Sequence, residues 1–463
     1  MKSQRAPEAL ARALPAHVRS AVARLVERGF ETVVVGGGVR DTLLGRPVHG
    51  LWDLATQAPP DELTRIFPQA IPTGIEHGTV TLPDEMGAIE ITSYRREHGY
   101  SDARHPDRVT FGATLEGDLA RRDFTVNALA YDPSSGLVVD AGSGLEDLAA
   151  RLLRAVGDPV ARFREDALRP LRGARLAAVL EFSIEPGTRE ALAQVQDLVP
   201  RLSAERVRDE LSKTLGAARP SLGIEILREA GLLPLVLPEL SATVGVTQNH
   251  WHVYDVYGHT LHAVDASDAG RLRVRWAALA HDLGKPGTRM VREDGEATFH
   301  GHAELGAEIA DRMLERLRFP NVEREAIVHL VRHHLFDYRP EWSDAAVRRF
   351  LRRVGLDALE DLFALRTADA IATRPDNTDL RGLEALRARI AGVLSARPAL
   401  SVRDLRVNGK DVMEILGRGP GPEVGQTLER LLEDVLEDPS LNDRARLLAR
   451  LRERAAAIEG RSP

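Results

Sequence analysis

What most constrains the fold of this chain is a change of hydrophobic period near residue 151. Before it, short β-branched runs sit between turn residues: ETVVVGGG, GTVTLPD, AIEITSYR, DRVTFGAT and LVVDAGSG. Such runs read as strands. The first reads as a strand over Thr32 to Val35, a triple-glycine turn and a helix opening near Val39; an amphipathic helix precedes it, and RRDFTVNALAY reads as a further helix. Beyond residue 151, Leu, Ala, Arg and Glu recur at helical spacing, broken by Pro or Gly at SIEPGT, AARPS, AGLLPLVLPEL and RLRFPN. The pattern predicts an α+β multidomain protein: an α/β head over 1–150, a helical neck over 151–235, a histidine-rich body over 236–375 and a helical tail over 376–463.

Several function classes are excluded by composition. At 463 residues the chain exceeds one ordinary core. It has no apolar run near the roughly 20 residues that span a bilayer, and its N-terminus lacks a signal-peptide core. No membrane contact and a cytoplasmic location are expected. With no cysteine there is no disulfide, thiolate zinc site or cysteine nucleophile, so any metal must be held by His and carboxylates. A net charge of -7 confines any nucleic-acid surface to a local patch. The best patch is 151–175, where seven arginines, Arg169, Arg172 and Arg175 among them, face only Asp158, Glu165 and Asp166.

Gly36, Gly37 and Gly38 leave backbone amides open to a phosphate, and Arg40 and Asp41 follow in the first helical turn. Alone this is a weak signal. The ordered series GGGVRDTLLGRPVH, WDLAT, EITSYR, RRDFTVNALAYD and EDALRPLR is specific. It resembles the class II tRNA nucleotidyltransferase and bacterial poly(A) polymerase family over nearly the whole chain. The resemblance implies a polymerase-β-like head that adds CMP, AMP or both to the 3′ end of tRNA without a template. The partners implied are tRNA, CTP and ATP, and the head's ion is Mg2+.

Magnesium needs hard oxygen ligands, and in a strand an Asp-x-Asp pair places both carboxylates on one face. Here the pair is broken: the first position is Leu51, or Gly50 if counted from Gly45-Arg46. Asp53 and, by resemblance, Glu90 remain as catalytic carboxylates and metal ligands. A lost bridging ligand implies slowed transfer, and neither His49 nor Asp41 has a geometric warrant as substitute. By resemblance, Arg121, Arg122, Asp123 and Asn127 contact triphosphate and ribose. Glu165, Asp166 and Arg169 fit one helix face by spacing; the resemblance makes Asp166 and Arg169 readers of the incoming base and Glu165 a holding group. Pro170, where the family has an unbranched apolar residue, is expected to remove a helical hydrogen bond. The run from Arg95 to Thr110 resembles the flexible element that accompanies the switch to ATP.

Histidine concentrates between residues 250 and 334. His281-Asp282 on an apolar helix is costly to bury without a metal or partner. With Lys285 just after, these residues resemble the HD phosphohydrolase superfamily, which implies His259, His281, Asp282 and Asp369 as one ligand set. His302, His333 and also His334 resemble the ligands of a second ion. Such a site accepts Ni2+, Mn2+, Fe2+, Co2+ or Mg2+. The tail resembles the family's tRNA-gripping helices, and a monomer or homodimer is expected. Two alternatives stand beside CCA addition: an HD phosphohydrolase with a degenerate RNA-binding head, and a poly(A) polymerase or A-adding enzyme.

Overall fold

The computed structural model describes residues 1–48, 52–85, 87–99, 108–250, 252–374 and 378–459. The chain divides into two compact units: Met1–Ala242 with Glu315–Phe319, and Thr243–Leu314 with Pro320–Pro463. Gly50, Leu51 and His49 lie outside the described residues, as do residues 100–107 of the run from Arg95 to Thr110.

Ten strands open the first unit: β1 Lys2–Arg5, β2 Thr32–Val35, β3 Trp52–Thr56, β4 Ile71–Gly74, β5 Thr79–Leu82, β6 Ile89–Ser93, β7 Arg95–His98, β8 Arg108–Phe111, β9 Leu129–Asp132 and β10 Leu137–Asp140. Eight of them form one sheet in the order β1-β10-β9-β2-β3-β6-β5-β4, and β7 pairs with β8 as a separate hairpin. Most pairings are antiparallel, but β3 and β6 run parallel, with Asp53 opposite Glu90. β2 is buried along its whole length, as a central strand covered on both faces must be. Its Val33 and Val35 join Ala55, Tyr94, Leu115, Leu119 and Ala130 in one apolar cluster.

Four local expectations are corrected. The first helix is two, Glu8–Ala13 and Ala16–Val26, divided at Leu14-Pro15. The helix after the glycines opens at Gly37 rather than Val39. RRDFTVNALAY is not a helix: the helix Leu115–Ala120 stops before it, a 3-10 turn covers Thr125–Asn127 and β9 follows. Phe124 and Val126 are fully buried there, and the Thr125 hydroxyl donates to Asp147 at 2.6 Å. Tertiary burial and a β-branched pair overrule the helical spacing. Finally, EDALRPLR does not form one helix: Pro159–Glu165 ends at an extended Asp166, and Arg169–Leu180 begins beyond it. Pro170 therefore sits in a first helical turn, where no amide bond is lost.

Beyond β10, among the described residues, the only strands form two-residue ladders, at Leu152–Leu153 with Ser183–Ile184 and at Met290–Val291 with Ala297–Thr298. In the second unit, helices Val256–Ala266, Leu272–Ala280 and Leu356–Thr373 pack together. The tail has its own core of Val412, Leu431, Leu432, Val435, Leu436, Leu447 and Leu451. Buried Arg348 donates from Nε to the Leu436 carbonyl at 2.7 Å and from Nη2 to the Glu437 carbonyl at 3.0 Å. A cation thus closes the C-terminus of helix Pro422–Glu437. Arg348→Ala is expected to destabilise the second unit by about 2–3 kcal/mol, since it strips charged hydrogen bonds from buried carbonyls; thermal unfolding checks this, and an unchanged melting temperature would contradict it.

Candidate active sites in the head and the HD body

The head cleft starts at the end of β2. Gly36 has φ +77°, and a Cβ there would stand 2.6 Å from Asp53 Oδ2. Only glycine lets the backbone approach this carboxylate. Gly38 serves differently: a Cβ would lie 2.7 Å from the Trp52 ring, so it permits packing and does not line the cleft. Gly36, Gly37, Arg40, Asp53, Glu90, Arg121, Arg122, Asp123, Asn127, Asp166, Arg169, Arg172 and Arg175 all line one cavity of about 500 Å³. Asp53 and Glu90 stand side by side on the parallel strands. Burial, reinforced by Glu90 and opposed by Arg122 and Arg40, pushes the Asp53 carboxyl up to about 6. A buried carboxyl that resists ionising, with a second acid beside it, is what a divalent cation relieves.

Around this pair the guanidiniums are held in place. Arg121 is ion-paired to Asp118 at 2.7 Å and to Glu97 at 3.1 Å. Arg122 reaches Asp118 at 3.3 Å, while its buried Nε has no hydrogen-bond partner. Arg40 Nη1 donates to Asn127 Oδ1 at 2.6 Å, and Asn127 Nδ2 donates to Asp123 at 3.1 Å. Although burial works to raise it, Arg172 with Asn127 and Arg169 holds the Asp123 carboxyl down at about 2. Asp123 is a fixed anion that orients Arg172, 3.1 Å away.

Glu165 does accept from Arg169 Nη1, at 2.5 Å, which also donates to the Arg162 carbonyl at 2.8 Å. Asp166 turns elsewhere, receiving Arg206 Nη2 at 3.0 Å and the Leu168 amide at 3.1 Å. Arg175 is tied to Glu210 at 2.6 Å. Sequence reading missed Arg206, Glu210, Lys213 and the cleft position of Arg95. Arg206, Glu210 and Lys213 lie on helix Ala204–Leu215, whose charges look like an ordinary solvated face.

The HD body gathers a second constellation. His259 Nε2 lies 3.1 Å from His281 Nε2 and 3.1 Å from Asp369 Oδ1. His281 Nε2 is 3.1 Å from Asp282 Oδ2. His259, His281 and Asp282 form one group able to hold a metal, and Asp282, His302 and His334 form a second. His281, His302 and His334 each donate Nδ1–H, at 2.7 Å, to the carbonyls of Ala278, Phe299 and Val331 respectively. A carbonyl can only accept, so in the neutral form of each ring Nε2 keeps a lone pair for a ligand. Burial, with the neighbouring His281, pushes His334 down to about 3, and burial also lowers His302. Both rings stay neutral, as metal ligation requires. Burial works against the charged form of Asp282, yet His281 and Lys285 hold it well below the usual carboxylate range.

His333 is not brought into this cluster. Its ring packs against His329, centroids 4.5 Å apart, while adjacent His334 faces His281 and His302. Successive residues at a helix end point about 100° apart, so only one of the pair can face inward. His334 takes the place expected for His333.

Two geometries, a carboxylate pair beside a glycine turn and a His/Asp cluster, define a metal-dependent nucleotidyltransferase that carries an HD domain. The model of the poly A polymerase head domain matches residues 32–154, that of the probable RNA and SrmB-binding site of polymerase A matches 181–243, and that of the HD domain matches 252–374. An A-adding tRNA nucleotidyltransferase of Deinococcus radiodurans is 37% identical over 414 residues, covering 86% of this chain and 90% of that protein. A CCA-adding enzyme of Geobacillus stearothermophilus is 33% identical over 442 residues, covering 94% and 95%. The crystal structure of Bacillus stearothermophilus CCA-adding enzyme in complex with CTP superposes with a TM-score of 0.72 at 29% identity, covering 96% of this chain and 98% of that one. The chain belongs to the tRNA nucleotidyltransferase and poly(A) polymerase family. Among the described residues no helix is long and apolar enough to cross a membrane.

Two predictions follow from the geometry. Because the folded Asp53 carboxyl titrates near 6 instead of its ordinary 3.8, the folded state binds the extra proton between those values and stability falls as pH rises through that window. Without divalent cations, Asp53→Asn is therefore expected to raise the melting temperature by a few degrees at pH 7.5 and to leave it unchanged at pH 4; equal melting at both would refute the shift. In the body, His334→Ala is expected to lower bound transition metal per chain by at least about tenfold at limiting metal, whereas His333→Ala leaves it unchanged, as read by elemental mass spectrometry.

Proposed function

We propose that the head transfers CMP, AMP or both from CTP and ATP to the 3′ end of tRNA, with Mg2+ as its ion and the protein in place of a template. The observation that carries this reading is Asp53 opposite Glu90, pressed against Gly36 in an arginine-lined cleft. Magnesium held by these carboxylates supplies charge for the triphosphate and acidity for the attacking 3′-hydroxyl. The chain's own groups do the rest. Arg122, with its unpartnered buried Nε, and Arg121 grip phosphate oxygens. Arg40 and Asn127, hydrogen-bonded to each other at 2.6 Å, are the groups assigned to the ribose hydroxyls. Asp166 and Arg169, fixed by Arg206 and Glu165, offer their remaining acceptor and donors to the base edge. The division into head 1–150, neck 151–235, body 236–375 and tail 376–463 assigns chemistry, base choice, hydrolysis and tRNA grip in that order.

The missing first carboxylate, at Leu51 or Gly50, is read as slowing transfer. Asp41 offers no replacement: it is ion-paired with Arg40 at 2.8 Å and is not among the cleft's described lining. Addition of A alone, or of a poly(A) tail, is the variant reading, favoured by the A-adding relative. For the body, the two His/Asp groups support hydrolysis of phosphoesters with Ni2+, Mn2+, Fe2+, Co2+ or Mg2+. A head reduced to RNA binding alone fits less well, because Asp53 and Glu90 still stand opposite each other in the cleft. Incubation with tRNAs lacking A, CA or CCA, giving CTP and ATP separately, tests the proposal. Slow extension is expected, with Leu51→Asp raising the rate on the order of a hundredfold. Full-speed extension by the unaltered chain, with no gain on substitution, would remove the impaired-ligand reading; no extension by either would remove transfer altogether.

A further inference from the structure

The groups proposed for phosphate, Arg121 and Arg122, and for the base, Arg169, lie far apart in sequence yet line one cleft. One buried acid stands behind both. Asp118 is wholly buried on helix Leu115–Ala120 and is not among the residues that line the cleft. Its Oδ1 accepts from Arg121 Nε at 3.0 Å and from Arg121 Nη2 at 2.7 Å, while its Oδ2 accepts from Arg122 Nη2 at 3.3 Å. Each carboxylate oxygen thus carries one of the two guanidiniums assigned to phosphate. The same segment reaches the base reader through its main chain. A helix leaves its last carbonyls without partners, and here guanidiniums take two of them. The Ala120 carbonyl accepts from Arg162 Nη2 at 2.8 Å, and the Arg121 carbonyl accepts from Arg169 Nη2 at 3.2 Å. Arg169 is almost wholly buried, and its other hydrogen-bond partners, the Glu165 carboxylate at 2.5 Å and the Arg162 carbonyl at 2.8 Å, both belong to helix Pro159–Glu165. The Arg121 carbonyl is therefore the point at which the phosphate-binding segment fixes Arg169.

We infer that Asp118 is a positioning residue that couples the two tasks: by clamping the Arg121 side chain it keeps the Arg121 carbonyl on Arg169, so that grip on the triphosphate and choice of base rise and fall together. The inference rests on the nucleotide-transfer reading given above. A buried carboxylate shared by two guanidiniums is costly to disturb, because loss of its charge leaves both cations short of a partner where water does not reach. Without that charge the Arg121 guanidinium shifts toward Glu97, 3.1 Å away on β7, and the carbonyl of the same residue shifts with it. The chemistry of the reader makes the consequence specific. A carboxylate beside a guanidinium suits an amino donor next to a ring acceptor, a pattern that cytosine and adenine share and that uracil and guanine reverse. A displaced Arg169 therefore loses preference for CTP and ATP over UTP and GTP, although Asp118 touches no base.

Calorimetry on the full-length protein with Mg2+ tests this without requiring transfer. Asp118→Asn, which keeps the shape of the side chain, is expected to weaken inorganic tripolyphosphate about tenfold, the size of one charge-assisted hydrogen bond. It is also expected to lower the affinity ratios of CTP over UTP and of ATP over GTP about fivefold, the low end of what one well-set pair of hydrogen bonds discriminates. In an Arg169→Ala background the same substitution still weakens tripolyphosphate but leaves both ratios as they were, because the reader is already gone. Arg121→Lys, which leaves the buried acid in place, is expected to lower the ratios too, and it decides the matter if Asp118→Asn does not fold. Ratios left intact in both variants, or a tripolyphosphate affinity unmoved by Asp118→Asn, would overturn the coupling. So would ratios that fall further in the Arg169→Ala background, since a merely structural role loosens the cleft whether or not Arg169 is there. If binding responds as expected yet the unaltered protein extends no tRNA, the transfer reading falls and the coupling stands.

Discussion

The architecture of the head depends on one strand pairing, the parallel alignment of β3 with β6. In a sheet whose other pairs are antiparallel, it sets Asp53 directly opposite Glu90. Slipping that register by one residue would turn one carboxylate to the other face of the sheet. The pairing is anchored by apolar neighbours on both strands, since Leu54, Ala55, Ile89 and Ile91 are almost wholly buried. The cost of burying an acid, with Glu90 beside it, appears in the raised titration of Asp53, and the surrounding guanidiniums offset only part of it. A site of this kind is stable in hydrophobic packing and unsatisfied in charge, which is the condition for binding a cation and a polyanion together.

The body solves a similar problem with different atoms. Its buried histidines are oriented by backbone carbonyls three residues earlier, so the main chain supplies the orienting groups that other metal sites draw from side chains. In the head, by contrast, orientation comes from side-chain ion pairs: Asp123 with Arg172, Glu165 with Arg169, Asp166 with Arg206. The first arrangement is rigid and suited to an ion of fixed geometry. The second leaves each guanidinium free N–H groups for a ligand whose shape changes from one nucleotide to the next.

Much of this was legible in the sequence because it rests on short-range patterns. The β-branched run before Gly36, the triple glycine, and the order of the arginine and acid motifs carried the head; His281-Asp282 and the distant Asp369 carried the body. What was not legible depends on tertiary packing. Phe124 and Val126 share helical spacing with their neighbours, yet full burial of both draws the segment into a turn and strand. Asp166 looks like a helical neighbour of Arg169, but the chain extends there and its partner is Arg206, forty positions on. His333 and His334 are chemically identical in sequence, and only the phase at the helix end separates them.

The chemistry of the head turns on where a divalent ion settles. Diffraction from crystals grown with Mn2+ and a non-hydrolysable CTP analogue, recorded for anomalous scattering, reads this without reference to rate. A peak is expected between the carboxylates of Asp53 and Glu90, with the triphosphate reaching toward Arg122. An empty carboxylate pair under a bound triphosphate, or a nucleotide lodged away from Gly36, would contradict it.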